Sequence, residues 1–159
     1  MSSETGALLA SLGDQRKHIL GALDGLDEDA LRRPVLPSGW NCLGLVRHLS
    51  LDVERLWFRV VTAGRPDLLV PGDAWHADDQ PAAAVLDGYR QEIAAADAVI
   101  AATPLDRAPA WWPDDAFGDW RLADLRETIL HVITETATHA GHLDAARELL
   151  DGHRWLVLT

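Results

Sequence analysis

The stretch HVITETATHAGHLDAARELLDG, residues 131 to 152, constrains this chain most. It is the end of a run that reads as one uninterrupted helix from near residue 119 to the Asp151-Gly152 stop, where glycine favours termination. Helical residues advance about 100° each, so Thr128, His131, Glu135, His139, His142, Ala146 and Leu149 fall within a wedge of about 80°. Val132, Leu143 and Leu150 flank that wedge, whereas Arg126, Asp144, Glu148 and Asp151 form a solvent face on the other side. The stripe is expected to point inward and to continue into core at its C-terminal end. Three imidazoles and a carboxylate on such a face need partners, because an unpaired buried charge is costly. Mutual hydrogen bonding is one remedy and a metal ion is the other.

Three further helices are predicted, over residues 4 to 24, 42 to 63 and 81 to 103. The connection GLDEDALRRPVLPSGW ends the first with Gly, Asp and Pro punctuation. Ser38 or Asn41 caps the second, and GRPD stops it. Pro81 stands in the first turn of the third, where proline is tolerated. Only WLVLT at the C-terminus alternates like a strand, and it is too short and isolated to build a sheet. The expected fold is an all-α four-helix bundle forming a single domain over residues 1 to 159, with long loops at 64 to 80 and 104 to 118. Loops of that length often carry function.

Composition narrows the function classes. At 159 residues, 48% hydrophobic and 25% charged, the chain has the profile of a globular protein with one core. A formal net charge of −11 argues against a nucleic-acid partner, since phosphate binding needs clustered Lys and Arg. No apolar run reaches the roughly 20 residues of a membrane span, and the first 20 residues lack the pattern of a signal peptide. The single cysteine, Cys42, excludes an internal disulfide, fits a reducing, cytoplasmic setting and reads as a small packing residue.

Glu135 and His139 are four residues apart and can grip one ion from adjacent turns, whereas His131 and His139 lie about 12 Å apart along the axis. A third ligand therefore comes from another helix. His18, His48, His76 and His153 remain. His48 lies within the second helix beside Leu45, Leu49 and Leu56, but Asp52, Arg55 and Arg59 also border its stripe, so the helix alone does not decide. The chain has no H-E-x-x-H, no pair of E-x-x-H motifs, no G-x-S-x-G, no P-loop and no G-x-G-x-x-G.

The segments HLSLDVERLWF and ETATHAGHLDAARELLDG together resemble the DinB-like superfamily of metal-binding four-helix bundles. THAGHLDAARELLDG is especially similar to its branch of thiol-dependent transferases, which includes the metal-binding domain of mycothiol-dependent maleylpyruvate isomerase. The resemblance covers nearly the whole chain and implies His48, Glu135 and His139 as metal ligands. It makes His142 a pocket or outer residue and His131 a core or pocket residue, and it implies a possible homodimer. The isomerase has an additional C-terminal domain that has no counterpart in this sequence.

Three protein ligands leave coordination positions open for water or a substrate thiol, as in catalytic sites. Imidazole and carboxylate suit Zn, with Ni, Co or Fe as alternatives. A free thiol has a pKa near ~8.5, so complete ionisation raises the reactive fraction about thirtyfold at most, under ~2 kcal/mol. Positioning of an electrophile must supply more. The resulting expectation is a divalent-metal-dependent S-transferase that joins a low-molecular-weight thiol such as mycothiol to an electrophile. The alternatives are a non-catalytic metal- or small-molecule-binding stress protein and a non-haem iron enzyme. Trp111, Trp112 and Trp120, with Trp57 and Trp75, either close one end of the bundle or line the electrophile pocket. Asp144 and Arg147 lie off the ligand stripe, where capping or interface roles compete with thiol recognition.

Overall fold

The computed structural model describes residues 3–77, 79–113 and 116–155. Among these residues there are four long helices and no strand. Helix α1 (Ser3–Leu23) buries Leu12, Arg16, Ile19 and Leu23, a helical spacing that presents one stripe to the core. A short helix, α2 (Glu28–Arg32), interrupts the first connection; its cap is Asp27, whose carboxylate accepts from Ala30 N. Asn41 caps α3 (Cys42–His48) by accepting from Gly44 N at 2.8 Å. Helix α4 (Ala82–Ala102) follows Pro81, and α5 (Leu125–Asp151) ends at Gly152 in the left-handed region, φ 78°. The WLVLT alternation falls mostly on residues 156 to 159, outside the described residues.

Two boundaries differ from the sequence reading. The last helix starts at Leu125 rather than near 119, because Asp124 accepts from Glu127 N while Glu127 accepts from Ala123 N. That reciprocal cap fixes the first turn. The second long helix changes pitch: beyond His48 it continues over Leu49–Thr62 with bonds of the i→i+5 register, which closes with Ala63 N donating to Phe58 O at 3.0 Å. Buried residues there repeat every four positions, Leu49, Val53, Trp57 and Val61, with Ser50, Glu54, Phe58 and Thr62 beside them. At 3.6 residues per turn such a repeat drifts about 40° per step. The wider turn keeps both rows facing inward.

Pairwise contacts give the helix directions. Arg126 bonds Glu4, His18 bonds Asp144, and Arg147 donates to the carbonyl of Ala22, so α1 and α5 run the same way. His48 meets His139, and Trp57 meets His131, so α3 and its wide-turn continuation oppose α5. Arg55 and Arg59 bond Glu92, while Arg47 and Leu51 line a cleft with Ala84 and Gly88, so that helix and α4 run parallel. A parallel connection must climb the length of the bundle, about 30 Å for 21 residues. The segment 63–81 makes that climb, which accounts for the long loop after the second helix.

Arg147 is buried and donates to Ala22 O (2.9 Å) and Asp24 O (2.7 Å), where α1 leaves carbonyls unsatisfied. It is a cap between helices. Cys42 is buried and its thiol is pushed up to about 11 by burial, so it stays protonated and packs. Leu149, expected to continue the inward stripe, is 60% exposed; the core face of α5 runs instead through Ile129, Val132, Thr136, Ala140 and Leu143.

At the bundle centre Glu54 is fully buried and Arg16 clamps it, Nε to Oε1 and Nη2 to Oε2, both at 2.7 Å. Arg16 also reaches Asp97 on α4 at 2.7 Å. Removing one member of a buried pair strands the other charge, at a cost of about 3–5 kcal/mol. Glu54→Leu is expected to lower unfolding stability by roughly that amount. Adding Arg16→Met should restore most of the loss. Urea unfolding of the single and double variants checks both.

Candidate metal centre

His48 is the last residue of α3, and Glu135 and His139 occupy successive turns of α5. Their potential ligand atoms all lie within 4.8 Å of one another, and His139 Nε2 is 3.8 Å from Glu135 Oε2. Tetrahedral ligands about 2.1 Å from an ion sit about 3.4 Å apart, so small side-chain movements would close the cluster on one ion. Among the described residues, no other group of three such side chains could hold a metal. The two imidazole rings stand 5.0 Å apart at 73°, a crossed arrangement that lets both aim at one point.

Partners outside the cluster set the direction of each ring. His48 Nδ1 lies 3.0 Å from Asp52 Oδ2, one helical turn on, which leaves Nε2 for an ion. His139 turns Nε2 toward Glu135 and has Nδ1 3.4 Å from His142 Nδ1. Burial, followed by the neighbouring His48 and His142, pushes the His139 imidazole down to about 4. At neutral pH it is therefore uncharged with a lone pair available, the form a metal requires. The mixed stripe around His48 is also explained. Arg55 and Arg59 turn away to Glu92 on α4, and Asp52 turns to the imidazole.

The tryptophans around the cluster divide into two groups. Trp57, Trp112, Phe117 and Trp120 form one cluster, with centroids 5.5–5.9 Å apart. His131 joins it, 4.7 Å from Trp57, and burial pushes its imidazole down. His131 therefore belongs to an aromatic wall rather than to the ligand set. Trp75 stands apart from that cluster and stacks on His48 at 4.4 Å and 15°. It can do so because residue 44 is glycine: a Cβ there would lie 2.1 Å from the carbonyl oxygen of Trp75. His142 is exposed, beside Trp40 at 6.2 Å. Sequence reasoning left Asp52 as a neighbour and did not find Trp40 or Gly44. The i,i+4 spacing of His48 and Asp52 was the available signal for the first; nothing local marks the other two.

Two outcomes follow from this geometry. Asp52→Ala, which frees the His48 ring, should weaken divalent-metal affinity by about 10–100-fold in chelator competition. His139 titrates below its ordinary 6.5 in the folded chain, so the folded form takes up its proton less readily than the unfolded form. Metal-free protein should then lose stability as pH falls from about 6.5 to about 4 and keep it above that window. In His139→Gln this part of the pH dependence should vanish, as read by urea unfolding across pH.

Residues 7–152 match the family described as Mycothiol-S-transferase. No curated protein and no solved structure matches the chain. The family match takes in the His48, Glu135 and His139 cluster and nearly all of the four long helices. The chain belongs to the mycothiol S-transferase family.

Proposed function

We propose that this protein is a divalent-metal-dependent S-transferase that joins mycothiol to a small electrophile, with His48, Glu135 and His139 as the metal ligands. The observation that carries the reading is the convergence of two imidazoles and a carboxylate from two helices within 4.8 Å, inside a chain of this family. Two nitrogens and one oxygen favour Zn, with Ni, Co and Fe able to occupy the same donors. An ion held there supplies the positive charge that keeps the thiol sulfur ionised near neutral pH.

The chain's own residues do the rest. Asp52 holds the His48 ring in one orientation, and the unprotonated His139 keeps its donor nitrogen on the cluster. Trp75 covers the face of His48 and limits water on that side. The wall of Trp57, Trp120 and His131 offers apolar faces near Glu135 for an electrophile. In the transfer, the sulfur releases its proton to solvent and forms a C–S bond; the leaving group departs with the electrons of the broken bond. Ionisation alone contributes under ~2 kcal/mol, so positioning of the two reactants carries more of the rate.

Purified protein loaded with Zn should conjugate mycothiol to a fluorogenic electrophile. His139→Ala should lose bound metal and at least a hundredfold in activity, measured by elemental analysis and initial rates. Undiminished transfer by metal-free protein would overturn the mechanism. Tight metal binding without turnover across thiols and electrophiles would favour a non-catalytic binding protein.

A further inference from the structure

A cavity of about 400 Å³ opens between the turn that precedes α3 and the climbing segment 63–81. That volume lies within the range of small-molecule sites, about 300–1,000 Å³. Its walls include Trp40, Trp75, Ser38, Asn41 and Asp73. Trp75 touches the candidate metal centre directly, and Trp40 reaches it through His142. Trp75 stacks on His48 at 4.4 Å, and Trp40 lies 6.2 Å from His142, which in turn contacts His139. The cavity therefore adjoins the ligand cluster along the Trp75 indole.

We propose that this cavity seats the uncharged, polyhydroxylated portion of the thiol, while the electrophile occupies the aromatic side formed by Trp57, Trp120 and His131. The proposal rests on the thiol-transferase reading and adds to it which side of the centre each reactant takes. Two indoles supply flat apolar faces for the C–H side of a sugar ring, and Ser38, Asn41 and Asp73 supply a hydroxyl, an amide and a carboxylate for its hydroxyl groups. The other side of the centre is a cluster of four aromatic rings and one imidazole, with the Arg121 guanidinium over Trp112 at 5.3 Å, and it presents mainly flat apolar faces.

Charge separates the eligible thiols. Among the described lining residues there is no Lys or Arg, and the charge present is the Asp73 carboxylate, with His76 held 2.9 Å from it. Arg47 donates to the backbone carbonyl of Asp73 at 3.0 Å and is not part of the lining. In a chain of net charge −11, an anionic thiol such as glutathione would meet a carboxylate with no cation in the wall. A neutral sugar meets only hydrogen-bonding partners.

Trp40→Ala and Trp40→Phe in the Zn-loaded protein test the assignment. The ratio of kcat/KM for mycothiol to kcat/KM for N-acetylcysteine, which lacks the sugar, should fall at least tenfold in Trp40→Ala. It should recover in part in Trp40→Phe. Glutathione should react no faster than N-acetylcysteine in the wild-type protein. Calorimetric binding of S-methyl mycothiol gives a readout without turnover, and its affinity should drop by the same factor in Trp40→Ala. An unchanged ratio and unchanged S-methyl mycothiol affinity would overturn the proposal while leaving thiol transfer standing. Binding of S-methyl mycothiol that depends on Trp40, in a protein with no transferase activity, would support the cavity assignment and refute the transferase reading instead.

Discussion

Two long helices that follow one another in the chain run the same way side by side, and this directional constraint governs most of what surrounds the candidate centre. Because the helix that starts at Cys42 and α4 are parallel, the chain must return the length of the bundle between them. The returning segment passes the end that carries His48 and lays the Trp75 indole on that ring. An antiparallel neighbour reached by a short turn would leave that imidazole open to water. The long loop is thus a consequence of helix direction, and the covering of His48 is a consequence of the loop.

Much of the bundle was legible in the sequence because helix formation is local. The four long helices, a cap at Ser38 or Asn41, the stop at Gly152, and the pairing of Glu135 with His139 across one turn all follow from spacing within a single element. What was not legible is set between elements or by pitch. The helical wheel assumes 3.6 residues per turn, and Leu49–Thr62 departs from it, so the surroundings of His48 could not be sorted from angles alone. Arg55 and Arg59 made that stripe look ambiguous until Glu92, some 33 to 37 residues later, accounted for both. Leu149 was assigned inward with the histidine stripe, but the core face of α5 is rotated toward Val132, Thr136, Ala140 and Leu143, and Leu149 stands 60% exposed.

The same division applies to the centre. Histidine and glutamate positions could be read from residue type and spacing, whereas the rings that flank them could not. Trp40 and Trp75 come from different loops, and Gly44 matters through an absent side chain. The sequence listed seven tryptophans without distinguishing Trp75, which covers the His48 imidazole, from the four-ring cluster on the other side. That separation gives the candidate centre two unlike flanks, one with Trp75 and Trp40 beside polar side chains and one built from the aromatic cluster.

The three converging side chains are unequally sheltered. His48 and His139 expose 16% and 12% of their side chains, but Glu135 exposes 39%. Glu135, together with Asp52 at 47%, thus stands at the rim of the cluster, and a cation binding there would meet their negative charge before either ring. Salt would screen that attraction at the rim, whereas contacts to the two sheltered nitrogens would feel it far less.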